Sequence, residues 1–372
     1  MLFHTHPYRR LYLVSVIINI LIDEAHYDPN WSIVVKGLYD RIQSRGSKTK
    51  IIVTGSSSAL IDLGIKENLS GRVRKLFMFP MKFSELLRAK GYKEEVLCEV
   101  SKLVRKSLFE GSLSSLEEAE ATLINIGFIK SLLSDYMIRG GMPEIVFKEK
   151  VNYKEEKELL LNYVSLSIYK DILRAFETIR RSFRRPGLLE DLMRIIAYKS
   201  PREMNYNSLA SALGIKVDTA ENLVSAILST MYVIQARNYA KHPEIIARKR
   251  KRKYFFIDTG VRNALAGVYK PIVSTEEEGL IMENLALTNA LRITIEEKIG
   301  NEVYYWREGE KEIDVVTESF CIEVKRGRKY RISPFIAFAR KYGEKVFIKL
   351  TIDELGKRDN IIMMPIHLFL LA

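Results

Sequence analysis

The chain has few of the features that mark secreted or membrane proteins. Its two cysteines, Cys98 and Cys321, are far apart in the sequence and give no disulfide framework. The longest apolar run, Leu11 to Ile22, is too short to span a bilayer. The segment from Met1 to Arg10 lacks the ordered charged region, apolar region and cleavage site of a signal peptide. We therefore expect a cytoplasmic protein without a membrane partner.

The sequence also lacks the glycine-rich loop that cradles nucleotide phosphates in many enzymes. The first glycine is Gly37, so no such loop precedes the acidic pair Asp23-Glu24. A later Gly-Lys pair, Gly356-Lys357, is followed by Arg358 instead of a serine or threonine. The chain as given therefore contains no recognisable P-loop.

What the sequence does contain is enough apolar material for two or three folded domains. It has 372 residues, of which 47% are hydrophobic and 28% charged. Lysine and arginine exceed aspartate and glutamate, and the formal net charge is +13. A charge excess of this sign favours an anionic partner, and we predict nucleic acid, specifically DNA. The alternative is a solvated basic surface without a partner.

The first ninety residues alternate between strand and helix patterns. An apolar strand ends at Ile22, a helix is predicted for Ile33 to Ser44, and a second strand for Lys50 to Thr54. Buried strands that alternate with helices predict a parallel sheet covered by helices, which is the α/β fold class.

Polar residues follow both predicted strands. Asp23 and Glu24 come after the first, and Thr54 to Ser58 come after the second. P-loop ATPases use two carboxylates at such a strand end to hold Mg²⁺ and to prime the attacking water. A neighbouring strand that ends in hydroxyl residues is where such folds sense the γ-phosphate. The pattern therefore predicts part of an ATP and Mg²⁺ site.

The middle of the chain is mainly helical. Residues 94 to 180 have helical periodicity, interrupted at Gly140 to Pro143. Residues 188 to 260 resemble a helix-turn-helix followed by a wing. The wing would consist of a strand at Val233 to Ala236, the basic run Arg248 to Lys253 and a strand at Tyr254 to Ile257. Asp218 and Glu221 have the spacing of a capping box at the start of the second helix. The segment predicts either DNA binding in a major groove or a packing module between domains.

The last third carries a second group of polar residues. Glu283 lies in an apolar helical stretch, Asp314 lies in a predicted hairpin, and Glu323 and Lys325 share one face of its second strand. An aspartate, a glutamate and a lysine that converge on a helical glutamate suit a Mg²⁺-dependent phosphodiesterase. In that hypothesis Asp314 and Glu323 hold the metal and Lys325 positions or deprotonates the water. The alternative is an amphipathic hairpin with surface ion pairs.

Taken in order, these motifs resemble a family of archaeal and bacterial AAA-type (P-loop) ATPases with a C-terminal restriction-endonuclease-like domain of unknown function. The matching stretches are Leu-Ile-Asp-Glu-Ala-His (21–26), Val-Thr-Gly-Ser-Ser-Ser (53–58), Leu-Ser-Gly-Arg (69–72), Arg-Gly-Gly-Met-Pro-Glu (139–144), Asp-Thr-Gly (258–260), Glu-Asn-Leu (283–285) and Ile-Glu-Val-Lys (322–325). The resemblance implies a truncated AAA-type ATPase core (1–90), a helical lid region (91–185), a winged-helix module (186–270) and an α/β nuclease-like domain (271–372).

The resemblance also implies roles for the N-terminal residues. Asp23 would ligate Mg²⁺, Glu24 would orient the hydrolytic water, and Ser56 or Ser57 would sense the γ-phosphate. Arg72 would act on ATP, either within the same chain or from a neighbouring subunit of a homo-oligomer. These assignments make ATP and Mg²⁺ the expected cofactors.

The chain departs from the family at its start, because only 22 residues precede Asp23. The family opens with a P-loop strand and helix, so we expect either an internal start of the coding sequence or a degenerate member. Three hypotheses follow. The first is an ATP-binding protein of impaired hydrolysis linked to a nucleic-acid-associated C-terminal domain. The second is a Mg²⁺-dependent DNA endonuclease on a vestigial ATPase scaffold, and the third is a regulator without catalysis.

Overall fold

The computed structural model of the chain describes residues 19–46, 48–55, 58–148, 150–167, 187–242, 244–245, 251–272, 274–326 and 331–372. Contacts divide the chain into two units. The first comprises Met1–Met78, Ser165–Pro186 and Asn222–Met231, and the second comprises Phe79–Val164, Gly187–Glu221 and Tyr232–Ala372. Each unit contains both helices and strands, so the predicted α/β class is confirmed.

The first unit contains the predicted strand–helix–strand segment. Strand β1 (Asn19–Ile22) and strand β2 (Lys50–Val53) are joined through helix α1 (Trp31–Ser44). The two strands pair in parallel, with Ile22 opposite Val53. The parallel pairing confirms the prediction, and both strands end at the same edge. The part of the predicted first strand that precedes Asn19 lies outside the described residues.

A small apolar core holds these elements together. Its buried members are Ala25, Trp31, Val35 and Leu69. Helix α2 (Ser58–Gly64) ends against the indole of Trp31, and a Cβ on Gly64 would lie 2.6 Å from that ring. Glycine at position 64 therefore allows the helix to approach Trp31 more closely than any other residue would.

The second unit begins with helices, as the periodicity predicts. They are α3 (Phe83–Ala89), α4 (Glu94–Glu110), α5 (Leu113–Thr122), α6 (Ile126–Arg139), α7 (Pro143–Val146) and α8 (Tyr153–Ser167). The predicted interruption lies between α6 and α7, where Gly140 has a φ of 74°. Helices α4 to α8 confirm the predicted helical segment for the described residues between Glu94 and Ser167, and residues 168–186 lie outside the described part of the chain.

A nine-stranded mixed sheet forms the centre of the second unit. Its strands are β3 (Glu203–Met204), β4 (Val233–Asn238), β5 (Arg252–Phe256), β6 (Tyr304–Glu308), β7 (Lys311–Val316), β8 (Phe320–Val324), β9 (Val346–Thr351), β10 (Gly356–Arg358) and β11 (Ile361–Pro365). Their order is β10-β11-β9-β8-β7-β6-β4-β5-β3. Strands β7 and β8 form the predicted antiparallel hairpin.

The strands predicted as a wing belong to this same sheet. Strand β4 pairs in parallel with β6, with Arg237 opposite Tyr304, and in antiparallel fashion with β5. The sheet therefore runs without a break from the predicted winged-helix segment into the predicted nuclease-like segment. Both of those finer assignments stay predictions.

Three helices occupy the predicted helix-turn-helix region: α9 (Leu188–Lys199), α10 (Tyr206–Leu213) and α11 (Val217–Ser229). Gly214 ends α10 with a φ of 65°, which suits the predicted turn. The predicted capping box is wrong. Helix α11 begins at Val217, and Ala220 N–H donates to the carbonyl of Lys216, so Asp218 lies inside the first turn. Residues 246–250 of the predicted basic wing lie outside the described residues.

The remaining helices of the second unit are α12 (Thr259–Ala266), α13 (Thr275–Glu296), α14 (Ser333–Tyr342) and α15 (Ile366–Phe369). Helix α13 shares one apolar core with the sheet, which includes Leu285 and Leu291 of the helix and Ile322 and Ile348 of the sheet. In the part of the chain that the structure describes, no helix combines the length and the apolar character that crossing a bilayer requires.

Candidate functional sites

The N-terminal candidate site lies where β1 and β2 end. Asp23 and Thr54 follow directly after these parallel strands, and the Thr54 hydroxyl donates to Oδ1 of Asp23. The backbone N–H of Glu24 donates to the same carboxylate oxygen at 3.1 Å. Asp23 is exposed to solvent. The structure thus brings an exposed, oriented carboxylate and a hydroxyl to one strand edge.

Glu24 has an unusual backbone conformation next to this carboxylate. Its φ of 50° lies in the left-handed region, which is uncommon for a residue other than glycine. Its Oε2 lies 3.3 Å from Nδ1 of His26, whose side chain is buried. A Cβ on Gly55 would lie 2.9 Å from the same His26 nitrogen. His26 therefore packs under the strand edge, and its position is fixed from two sides.

For the other residues that are predicted to contact the nucleotide, the structure gives less information. Ser56 and Ser57 lie outside the described residues, so their predicted sensor role stays a prediction. Arg72 has its guanidinium Nε 3.7 Å from Oδ1 of Asp40 in helix α1. The role predicted for Arg72 towards ATP also stays a prediction.

The C-terminal candidate site is a cavity of about 500 Å³ in the second unit. Its wall includes three of the residues predicted from the sequence: Glu283 of α13, Asp314 of β7 and Lys325 after β8. The full lining is Arg202, Glu203, Lys251, Lys253, Glu276, Gly279, Leu280, Glu283, Arg307, Glu312, Asp314, Val324 and Lys325. The structure therefore brings together residues that are far apart in the sequence.

Glu323, the fourth predicted residue, is buried and does not line the cavity. Its Oε1 lies 3.4 Å from Nζ of Lys325, so the two side chains share a face of β8, as predicted. The hairpin pairs Val315 with Ile322, and continuing that register places Asp314 opposite Glu323. Oε2 of Glu323 is buried without a hydrogen-bond partner in the described structure.

The residue at the centre of the site is one that the sequence analysis did not single out. The Lys253 side chain is 3% exposed, and its Nζ lies 2.5 Å from Glu283, 2.8 Å from Glu312 and 3.2 Å from Asp314. Lys253 occupies a buried position of β5, where the sequence reads Arg-Lys-Tyr-Phe-Phe. A lysine next to an apolar run requires a buried partner. This requirement is the feature of the sequence that could have identified Lys253.

The electrostatics of the cluster follow from burial and proximity. Burial and the neighbouring Asp314 raise the pKa of Glu283 to about 8, although Lys253 acts in the opposite direction. Burial lowers the pKa of Lys253, but the charges of Glu283, Asp314 and Glu312 outweigh it and hold the pKa well above its usual value. Lys253 therefore stays protonated at neutral pH.

The cavity wall is balanced in charge. It contains five acidic residues (Glu203, Glu276, Glu283, Glu312 and Asp314) and five basic residues (Arg202, Lys251, Lys253, Arg307 and Lys325). Most rim residues form pairs, such as Arg202 with Glu276 and Lys251 with Glu203. Among the described residues, no three His, Cys, Asp or Glu side chains form a group able to hold a metal ion. The predicted metal roles of Asp23, Asp314 and Glu323 stay predictions.

Two of the sequence motifs meet away from either site. The carboxylate of Asp258 accepts from the N–H of Gly141 at 2.7 Å and from that of Val261 at 2.9 Å. Asn263 Nδ2 donates to the carbonyls of Met137 and Ile138 at the end of α6. The Asp-Thr-Gly motif thus caps helix α12 and fastens it to the Arg-Gly-Gly-Met-Pro-Glu turn, which is a structural role.

An acidic residue without a predicted role is buried nearby. Glu156 of α8 is fully buried, and Arg139 binds its carboxylate with two N–H groups at 2.8 and 2.9 Å. The hydroxyl of Tyr269 donates to Glu156 Oε2 at 2.9 Å. These contacts satisfy a charge that would otherwise be costly to bury, and they account for the arginine of the 139–144 motif.

The Glu-Asn-Leu motif also has a structural explanation in part. Asn284 Oδ1 accepts from the N–H of Phe256 and its Nδ2 donates to the carbonyl of the same residue, both at 2.8 Å. The side-chain amide of Asn284 therefore forms the two hydrogen bonds that a neighbouring strand would form with Phe256, and it connects α13 to β5. Glu283, one residue earlier, contacts Lys253 of that strand.

Comparison with known families relates two parts of the chain to known domains. Residues 6–87 match the model of an AAA domain, and residues 130–271 match a domain of unknown function, DUF8612. The second match includes the 139–144 and 258–260 motifs and ends before Glu283. No solved structure matches the chain.

Similar proteins are known from an archaeon and a bacterium. An uncharacterized protein of Methanocaldococcus jannaschii is 23% identical over 95% of this chain and 70% of its own length. A second one from that organism is 28% identical over 52% of this chain and 36% of its own length. An uncharacterized protein of Haemophilus influenzae is 24% identical over 67% of this chain and 53% of its own length. The AAA-domain match, together with these archaeal relatives, supports the resemblance to predicted AAA-type ATPases.

Proposed function

We propose that the first unit contributes the acidic edge of an AAA-type ATP site. The observation that carries the proposal is the arrangement of Asp23, Glu24 and Thr54 at the shared end of two parallel strands. The match of residues 6–87 to an AAA domain supports the same reading. Carboxylates at such an edge are the oxygen ligands that Mg²⁺ prefers.

Each residue has a distinct task in this proposal. The exposed carboxylate of Asp23, oriented by the Thr54 hydroxyl, holds Mg²⁺. Glu24, next to the buried His26, orients a water molecule for attack. Bound Mg²⁺ supplies charge neutralisation for the phosphates. Because the sequence contains no P-loop, few groups of this chain can bind the β- and γ-phosphates, and it hydrolyses ATP feebly or not at all.

The proposal extends to partners. The net charge of +13 supports an association of the protein with nucleic acid, which would link nucleotide state to the second unit. Assembly into a homo-oligomer would allow Arg72 to act on ATP held by a neighbouring copy. The competing hypothesis of a Mg²⁺-dependent endonuclease depends on whether the carboxylates of the second unit are free to hold a metal.

Binding of a fluorescent ATP analogue in the presence of Mg²⁺ tests the nucleotide site. We expect micromolar affinity for the chain and a loss of about tenfold or more in the Asp23→Ala variant, because the metal ligand is removed. The matched control is Asp62→Ala, which removes another carboxylate of the same unit, one that pairs with Lys75 at 2.6 Å. This control should leave nucleotide affinity unchanged.

Two results would count against the proposal. Equal affinity of the chain and the Asp23→Ala variant would show that the analogue binds elsewhere. If neither the chain nor the Asp23→Ala variant binds the analogue while the control folds normally, the first unit has only a structural role.

A further inference from the structure

The carboxylates of the second unit already surround a cation, the ammonium group of Lys253. Its three carboxylate partners come from helix α13 (Glu283) and strand β7 (Glu312 and Asp314). The ammonium group has three donors, and each of the three carboxylates lies within ion-pair distance of it. With 3% of the side chain exposed, solvent does not screen these contacts.

We propose that Lys253 is the resident cation of this cluster and excludes a divalent metal ion from Glu283, Glu312 and Asp314. The nuclease-like resemblance implies Mg²⁺ at this place, and the residues present do not fit it. This inference is independent of the nucleotide site proposed for the first unit.

Both carboxylate oxygens of Asp314 already have partners in the protein. Oδ1 lies 3.2 Å from Lys253 Nζ, and Oδ2 accepts from the N–H of Val324 at 2.9 Å. A metal bound to Oδ1 at about 2 Å would lie no more than about 5 Å from the ammonium group. At that distance in a buried site, like charges repel strongly.

The wall of the cavity also carries as many basic as acidic residues. Five acidic and five basic residues line the cavity, so its wall has no excess negative charge with which to attract a divalent ion. Sites that hold Mg²⁺ depend on such an excess, because the ion gives up its water reluctantly. Removal of Lys253 alone would take away the cation that lies between Glu283, Glu312 and Asp314 and leave these three acidic side chains facing each other.

Glu323 does not restore a metal site. Its unpartnered Oε2 is the feature that most favours a ligand, but Glu323 does not line the cavity. It pairs in register with Lys349 of β9, whose side chain is buried, and its other oxygen lies 3.4 Å from Lys325. Glu323 is therefore flanked by two further cations.

The ionic contacts give Lys253 a definite task. They fasten helix α13 to strands β5 and β7, next to the amide of Asn284 that ties the same helix to the backbone of β5. The cluster is then a metal-free junction between the helix and the sheet. No phosphodiester cleavage step follows from it.

Uptake of Mn²⁺, measured by electron paramagnetic resonance of the free ion, tests the proposal. The protein used is the full chain with Asp23→Ala, so that the first unit contributes no metal ligand at that position. We expect no Mn²⁺ bound at this cluster with an affinity tighter than about 1 mM. Uptake that persists after Asp314→Asn is added lies elsewhere and agrees with the proposal, whereas uptake that Asp314→Asn removes overturns it.

The proposal also predicts that a variant without the Lys253 ammonium group gains metal binding. In the Asp23→Ala background, Lys253→Met should lower the melting temperature in EDTA by about 5–10 °C, because it leaves buried carboxylates without a partner. Added Mn²⁺ should restore part of that loss in Lys253→Met and not in its parent. The control is Lys251→Met, whose lysine is 64% exposed and pairs only with Glu203 in the described contacts, and which should show neither effect. A Lys253→Met protein of unchanged stability that gains no Mn²⁺ would contradict the proposal.

Discussion

At the scale of single residues, three glycines of the second unit lie where two segments of the chain approach each other closely. A Cβ on Gly141 would lie 2.1 Å from the carbonyl oxygen of Met81, and one on Gly260 would lie 2.1 Å from that of Arg139. A Cβ on Gly140 would meet the carboxylate of Asp258 at 2.3 Å. Backbone atoms cannot move aside as a flexible side chain does, so positions 141 and 260 admit only glycine. Gly140 has a φ of 74°, in the region that favours glycine.

The Gly141→Ala variant should therefore lose about 3 kcal/mol or more of unfolding free energy, because the added methyl group forces the turn away from Met81. Denaturant titration of the variant and the parent measures the loss. The matched control is Gly279→Ala in helix α13, where an added Cβ meets no atom within 4 Å. We expect that control to gain about 0.5–1 kcal/mol, because alanine favours a helix over glycine. Equal stability of Gly141→Ala and the parent would show that the turn is not held as the structure places it.

At the scale of secondary-structure elements, ion pairs join helices α3, α4 and α13. Glu296, near the end of α13, binds Lys82 at the start of α3 and Arg105 of α4, while Glu297 also binds Arg105. Burial would raise the pKa of Glu296, but its hydrogen bonds and ion pairs with Lys82 and Arg105 outweigh it and lower the pKa. The junction therefore stabilises the fold only while Glu296 is ionised.

This linkage predicts a pH dependence. A carboxylate whose pKa is lowered by folding contributes stability above the pKa of the unfolded chain, and the contribution disappears as pH falls through the folded value. Glu296→Gln should thus cost about 1 kcal/mol at neutral pH, a small figure because the side chain is 36% exposed, and nothing well below pH 4.5. Chemical denaturation at several pH values checks this.

The control for that experiment is Glu94→Gln. Glu94 pairs with Arg88 at 2.9 Å, and both side chains are more than half exposed. Its loss should change stability by less than about 0.5 kcal/mol at any pH. If Glu296→Gln costs the same at acidic and neutral pH, the effect is not electrostatic and the linkage argument fails.

Local patterns predicted several elements of both units. The parallel pair β1–β2, the break after Arg139 and the β7–β8 hairpin follow from apolar runs and from glycine and proline positions, which act over a few residues. Lys253 was assigned to a basic wing because its partners, Glu283 and Asp314, are 30 and 61 positions away in the sequence. Such contacts depend on strand order, which periodicity does not determine. The continuous sheet from β3 to β10 was missed for the same reason.

At the scale of the whole molecule, the excess of 13 positive charges is the property that no single site explains. The cavity of the second unit is balanced in charge, so the excess lies on other parts of the chain. A positive excess attracts polyanions through release of their counterions, and the strength of that attraction falls steeply as salt rises. The alternative, a solvated basic surface, would show no measurable association at moderate salt.

Fluorescence anisotropy with a labelled short DNA duplex distinguishes the two. We expect binding at about 50 mM salt and a loss of affinity of about tenfold or more at about 200 mM, which corresponds to neutralisation of about two or more phosphates. Asp314→Asn should leave both values unchanged if the cavity takes no part in phosphate contacts, whereas a changed salt slope would place the DNA at the cavity. An absence of binding at the lower salt concentration would remove nucleic acid from the proposal, and ATP binding by the first unit would then have to be explained without it.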